Sequence, residues 1–237
     1  MDFSIISGNI DIYLEGLKNT VFLVSISLVI GLSIAIPLAV LRTSKNIWVT
    51  APIRAFVYFF RGTPLLVQIF IIYYGFGQFE ALKSSFLWPF FKEAYLCALL
   101  AFTLNTAAYT TEIIRGAIVA TPHGEVEAAR AAGMSRMLMF RRIILPSAFR
   151  RALPAYSNEI IFMLQGSSLA SVITIIDITG AARIINSRYY SPYEAFLTAA
   201  AFYLCLTFSI LWVIKKLEFR WSAHLRPQET DIAEVRG

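Results

Sequence analysis

The sequence is poor in charge, in cysteine and in histidine, and each shortage removes a class of function. Only 15% of its 237 residues are charged, whereas 57% are hydrophobic, and the mean hydropathy is +0.64. Soluble domains carry about 25% charged residues, so an ordinary water-soluble domain is excluded. The two cysteines, Cys97 and Cys205, both lie inside apolar runs and supply neither a disulfide framework nor a metal site. The two histidines, His123 and His224, are far apart, and no H-E-x-x-H or G-x-S-x-G arrangement accompanies them. An intramembrane metalloprotease or serine hydrolase therefore has no constellation to stand on. Gly-Lys pairs are absent as well, so the chain has no G-x-x-x-x-G-K-[ST] phosphate loop and no P-loop route to ATP hydrolysis. No repeat, low-complexity tract or flexible linker divides the sequence, which favours a single domain over residues 1–237.

What is present is a set of long apolar runs. Asn19–Leu41, Gly62–Phe79, Ala94–Thr111, Ile160–Ile176 and Ala195–Ile214 approach or reach the roughly 20 residues that a helix needs to cross a bilayer core of about 30 Å. With flanking residues they predict an all-α integral membrane protein with five transmembrane helices, at about 16–41, 52–79, 94–117, 152–176 and 193–215. Pro37 removes a backbone donor in the first span and Arg61-Gly62-Thr63-Pro64 interrupts the second, so both helices are expected to bend. The N-terminus is acidic and the first run too long for the apolar region of a cleaved leader, so no signal peptide is expected.

Basic residues are distributed unequally between the spans. Arg42, Lys45 and Arg54 follow the first; Arg115, Arg130, Arg136, Arg141, Arg142, Arg150 and Arg151 lie between the third and fourth; Lys215, Lys216, Arg220, Arg226 and Arg236 follow the fifth. The opposite side has Lys18, Lys83, Lys92, Arg183 and Arg188. By the positive-inside rule the N-terminus is outside and the C-terminus cytoplasmic. The excess charge hugs membrane boundaries with no nucleic-acid recognition motif beside it, so no nucleic-acid partner is expected. Phe79–Glu93 and Asp177–Pro192 become outer connections, the second with a helical turn or two, and either offers an external partner a surface.

The cytoplasmic region of about 118–150 contains a stretch unlike the rest, HGEVEAARAAGMSRMLMFRRIILP at residues 123–146. Thr121 can cap a helix beginning at Pro122, with Glu125 and Glu127 near its positive end and Gly133 as its stop, about 11 residues in all. Ser135 can cap a second helix running until Pro146. Periodicity by itself is equally compatible with a solvated amphipathic loop. Glu127-Ala128-Ala129, three residues, Gly133, nine residues, Ile143, one residue and Leu145-Pro146, however, resembles the EAA signature of the membrane subunits of bacterial ABC importers. FRGTPLLVQ at Phe60–Gln68, TLNTAAYTTEIIRGAI at Thr103–Ile118 and LPAYSNEIIFML at Leu153–Leu164 resemble the polar amino acid permeases, above all those for histidine, lysine, arginine and ornithine or for octopine and nopaline.

The resemblance implies a multi-pass permease of the bacterial inner membrane, working by alternating access, with Glu127, Ala128, Ala129 and Gly133 on a cytoplasmic coupling helix between spans three and four. It implies as partners an ABC ATPase dimer that binds ATP and Mg, a second homologous permease (a hetero pair favoured, a homodimer open), an external solute-binding protein, membrane lipid, and an amino acid substrate, with no cofactor in this chain. A self-sufficient secondary transporter or channel is the alternative, but five unrepeated spans suit it poorly.

For the transport path, Glu159 stands out. It lies roughly 12 Å beyond Arg151 along a helix, too deep for a bare carboxylate, so it must face a cavity, an internal cation such as Arg61, or a cationic substrate. Asn158, Gln165, Ser167 and Ser168 continue the polar character of the fourth span, Asn105 and Thr106 that of the third, and Gln68 that of the second. Each of these, taken singly, better suits interhelical hydrogen bonding than a place on the path. Glu112 is expected to pair with Arg115 at i,i+3.

Overall fold

The computed structural model describes residues 3–221, and every regular element among them is helical. The sequence expectations for the tail beyond His224, including Arg226 and Arg236, lie outside the described residues. In chain order the helices are α1 (Ser4–Ser7), α2 (Ile10–Arg42), α3 (Ile47–Gly62), α4 (Leu65–Phe70), α5 (Glu80–Lys83), α6 (Trp88–Phe91), α7 (Ala94–Val119), α8 (His123–Ala131), α9 (Arg136–Met139), α10 (Leu145–Gly166), α11 (Ile178–Tyr189) and α12 (Pro192–Trp221). A π-helical turn at Ile71–Gly75 prolongs α4, another at Phe140–Ile144 joins α9 to α10, and a 3-10 stretch at Ser167–Ile173 extends α10.

Three helices, α2, α7 and α12, are individually long and apolar enough to cross a membrane. The count becomes five if two bent pairs are each one span: α3 with residues 65–78, bent by 106°, and residues 136–173 with α11, bent by 46°. The expected interruption at Arg61–Pro64 is therefore a sharp break. Pro64 cannot continue a helical hydrogen-bond ladder, and it holds Thr63 extended at φ −113°, ψ 143°. Pro37, by contrast, is absorbed into α2 without interrupting the helix.

The core is organised around α7. Its sequence ALLAFTLNTAAYTT buries Ala98, Ala101, Ala107, Ala108, Thr103, Thr106, Thr110 and Thr111, so two thirds of its most apolar window is covered, against 11% for α12. Small side chains let neighbouring backbones come close, which in a membrane replaces the hydrophobic drive that lipid removes. Gly31 of α2 uses this space: a β-carbon there would collide with the Thr106 methyl and lie 3.3 Å from the Thr103 carbonyl oxygen. Glu112 pairs with Arg115 at 2.8 Å, as the spacing predicts, and also with Arg42 of α2 at 3.4 Å.

At the opposite end of α2, the segment between the 3-10 stretch and α11 is clamped by polar contacts. The Asn19 amide donates to the Ile176 carbonyl at 2.8 Å, Thr20 Oγ1 accepts from the Ile178 amide, and Tyr13 donates to the Ala195 carbonyl at 2.7 Å while stacking on Phe202. Asp177 is fully buried, caps α11 through the Gly180 amide and accepts from Tyr203. The expected connection with a helical turn or two is thus a 12-residue helix, because Asp177 supplies an N-cap and Ile178, Ala181, Ala182 and Ile185 supply a buried face.

Two expectations near residue 123 need correction. Helix α8 has nine residues and is preceded by extended Pro122, while the Thr121 hydroxyl points back to donate to the Ile118 carbonyl at 2.8 Å. The hydroxyl thus serves the last turn of α7 and accepts no amide of α8. Nor does Pro146 end the helix that Ser135 starts; helical backbone continues through it to Gly166. The π-helical turn at 140–144 rearranges the backbone pairing immediately before a residue that has no N–H to give. Ser135 does cap α9, accepting from the Leu138 amide.

Gly16 tests the clamp directly, since a β-carbon there would sit 2.6 Å from the Asp177 carbonyl oxygen. Gly16→Ala is expected to destabilise the protein by about 1–3 kcal/mol through forced backbone separation. Gly116→Ala, where nothing lies within 4 Å, should leave stability unchanged or slightly raised. Thermal unfolding in detergent, followed by retention of monodisperse protein, distinguishes the two; equal behaviour would remove the close-approach argument.

Candidate functional site

The break between α3 and α4 frees backbone carbonyls at membrane depth, and polar side chains satisfy them. Gln68 Nε2 donates to the Phe60 carbonyl at 2.8 Å, the Thr63 carbonyl at 3.0 Å and the Thr63 hydroxyl at 2.9 Å. Asn105 of α7 holds Gln68 in turn, donating to its Oε1 at 3.0 Å and reaching the Phe60 carbonyl at 3.4 Å. Irregular backbone is tolerated in a bilayer where protein groups meet it in this way. Gln68 is 2% exposed and sits behind the break, so its role is to hold the broken span.

In front of the break lies a cavity of about 520 Å³, lined by Arg61, Gly62, Thr63, Pro64, Leu65, Asn105, Tyr109, Glu159, Phe162 and Met163. Its charged groups come from two directions. Arg61 ends α3 and stacks over the Tyr109 ring, 5.2 Å from the centroid. Glu159 projects from α10 and is 6% exposed. Thr106 Oγ1 is buried without a hydrogen-bond partner, and Arg61, held over the Tyr109 ring, forms no salt bridge with Glu159. A buried carboxylate with weak internal compensation is suited to meet a cation entering the cavity.

The other path candidates distribute differently. Asn158 and Gln165 are exposed and, with Phe162, mark an i, i+4, i+7 stripe on α10 turned away from the covered face. The Ser167 and Ser168 hydroxyls donate to the Leu164 and Gln165 carbonyls at 2.6 and 2.8 Å. They serve the end of their own helix. Of the predicted path residues the structure brings only Glu159 and Asn105 to the cavity. Arg61 completes it as the internal cation considered for Glu159, and Tyr109 was missed, although its i+4 spacing from Asn105 places both on one face of α7.

The second site is the corner between α8 and α9. Gly133 has φ +71°, its amide bonds to the Arg130 carbonyl at 2.9 Å, and the Met134 amide bonds back to the Ala129 carbonyl at 3.1 Å. This pairing closes a helix on a left-handed glycine, as the expected stop requires. Glu127, Ala128 and Gly133 are exposed, whereas Ala129 is the one buried residue of α8, which packs on α9 and the adjoining π-helical turn. Ala129 therefore seats the helix on its own chain, and the free face is carried by the other three.

Comparison with known proteins agrees with this architecture. The family described as binding-protein-dependent transport system inner membrane component matches residues 27–223. The octopine transport system permease protein OccM of Rhizobium meliloti is 46% identical over 94% of this chain and 92% of its own. The nopaline permease NocM of Agrobacterium fabrum (strain C58 / ATCC 33970) is 47% identical over 95% and 94%. The histidine/lysine/arginine/ornithine permease HisM of Escherichia coli (strain K12) is 47% identical over 91% of each. Among solved structures, an amino acid ABC transporter crystallised with histidines superposes with a TM-score of 0.83 at 32% identity, covering 93% of this chain and 99% of that one. The methionine transporter MetNI, at 19% identity and a TM-score of 0.71 over 89% and 96%, shares the fold. On the match to residues 27–223 and these near-full-length relatives, the chain belongs to the family of inner membrane components of binding-protein-dependent transport systems.

Proposed function

We propose that the chain is one permease of an ATP-driven importer that moves a polar, cationic amino acid or an opine across the inner membrane by alternating access. The observation that carries this reading is the buried Glu159 carboxylate in a 520 Å³ cavity beside a broken span, in a chain 46–47% identical to permeases named for octopine, nopaline and the basic amino acids. Glu159 meets the cationic group of the substrate, while Arg61 offers donors to its carboxylate. The chain acts as a single five-span unit with the N-terminus outside and the C-terminus cytoplasmic, an orientation supported by the basic residues gathered around α8.

Hydrolysis belongs to a separate ATPase dimer that binds ATP and Mg, since no phosphate loop occurs in this sequence. Exposed Glu127, Ala128 and Gly133 present a small, rigid docking face to that ATPase, with Ala129 securing it from behind. The exposed stripe of Asn158, Phe162 and Gln165 supports pairing of α10 with a second permease, a related chain being favoured by the resemblance to hetero-paired systems. An external binding protein delivers the substrate.

Two outcomes follow for the assembled transporter in proteoliposomes. Glu159→Gln should lower the initial uptake of radiolabelled L-arginine about 10- to 100-fold, the loss of one charge-assisted contact. Uptake of a neutral substrate such as L-citrulline, where measurable, should fall much less; an equal loss for both would make Glu159 structural. Ala128→Arg should leave the permease folded in the membrane but reduce co-purification of the ATPase and substrate-stimulated hydrolysis together. Normal hydrolysis and uptake by that variant would remove α8 from the docking surface.

A further inference from the structure

Arg151 lies at the α8 end of α10, eight residues before Glu159, and its guanidinium ties together three segments that are separate in sequence. Nη1 donates to the Ser147 hydroxyl at 2.6 Å on its own helix. Nη2 donates to the Thr121 hydroxyl at 2.8 Å, in the link between α7 and α8. Nη2 and Nε both reach the Ala117 carbonyl, at 3.3 and 3.4 Å. Glu125 in the first turn of α8 faces Nη1 at 3.7 Å.

Each contact has a local cause. The Thr121 amide bonds to the Ile118 carbonyl rather than to Ala117, leaving the buried Ala117 carbonyl without that backbone donor at the negative end of α7 and complementary to a cation. The Thr121 hydroxyl donates to Ile118 and therefore presents its lone pairs to Arg151. Only a planar fork with several donors can serve Ser147, Thr121 and Ala117 at once; a lysine ammonium is a single point. The Glu125 pair is the longest contact and has half-exposed partners, at 25% and 38% side-chain exposure. It adds little static stability and is the connection to α8 most easily strained by movement of that helix.

We infer that Arg151 is the positioning residue that transmits displacement of α8 to α10 and so to the cavity holding Glu159. This rests on the reading of α8 as the ATPase-docking helix. Tilting α8 moves Glu125 and Thr121, both held by the guanidinium, and the guanidinium is anchored by Ser147 and its own backbone to the helix that lines the cavity. Arg151 does not line the cavity.

The experiment reads cavity exposure without requiring a known substrate. In the complete transporter carrying Cys205→Ser, with Cys97 buried, Leu65→Cys reports from the cavity wall to a membrane-impermeant maleimide. Labelling should change about fivefold or more between the nucleotide-free state and the state trapped with ATP and vanadate, the lower range of coupling between sites. Arg151→Gln should collapse that change to less than about twofold, and Glu125→Gln should diminish it. The double variant should lose no more than Arg151→Gln, because both lie on one connection. Should Arg151→Gln fail to assemble, Arg151→Lys keeps a cation at the Ala117 carbonyl but loses the fork, and its response should still be reduced. A full nucleotide-dependent change in Arg151→Gln, or in Arg151→Lys, overturns the inference. A separate Ala131→Cys variant, cross-linked to the ATPase, tests the docking reading: absence of the cross-link in otherwise unsubstituted protein sinks that reading, whereas a retained cross-link with a lost cavity response isolates Arg151.

Discussion

The close approach of α2 to α7 is the constraint on which the other helices depend. Inside a bilayer two apolar faces gain little by leaving lipid, so association requires backbones near enough for dispersion and polar contacts to matter. α7 provides that through a run of alanine and threonine, and α2 answers with Gly31 and Ser27. With this pair in place, the far end of α2 clamps the start of α11 through Gly16, Asn19 and Thr20, while its near end meets Glu112 through Arg42. The Asn105 and Tyr109 side chains of α7 are thereby held against the broken span and the cavity.

The broken span and the cavity are two sides of one solution. A proline at membrane depth frees carbonyls that lipid cannot satisfy, and Gln68 and Asn105 supply the missing donors. Because those amides are committed behind the break, the front is left to Arg61 and Glu159, which face the same space without closing on each other. The Tyr109 ring under Arg61 and the burial of Glu159 on α10 keep the two charges apart. The 106° bend also turns what would have been a plain membrane-crossing helix into the rim of the cavity.

At the α8 end, continuity replaces interruption. The helix begun at Arg136 passes through Pro146 by way of a π-helical turn and reaches Glu159 without a hinge. The corner at Gly133, Ala129 beneath it and the Arg151 fork remove slack from the link between α7 and α8.

Helix content, the apolar runs, the break at Arg61–Pro64, the Gly133 stop and the sheltered position of Glu159 were legible in the sequence, because each follows from local chemistry: the length of an uncharged run, a missing N–H, a position that tolerates positive φ, a carboxylate too deep for lipid. Other features were not local. Thr121 serves the carbonyls of α7 instead of capping α8, Pro146 is carried within a helix, and Asp177 organises a full helix where a looser connection was expected. The polar residues were the hardest to assign, since Gln68 and Asn105 carry the same amide yet only Asn105 borders the cavity. One-dimensional spacing by itself determined the family resemblance and the set of candidates. Only the tertiary structure decided which side chains bind the backbone and which face open space, because that choice depends on the carbonyls and cations other segments bring within hydrogen-bonding distance.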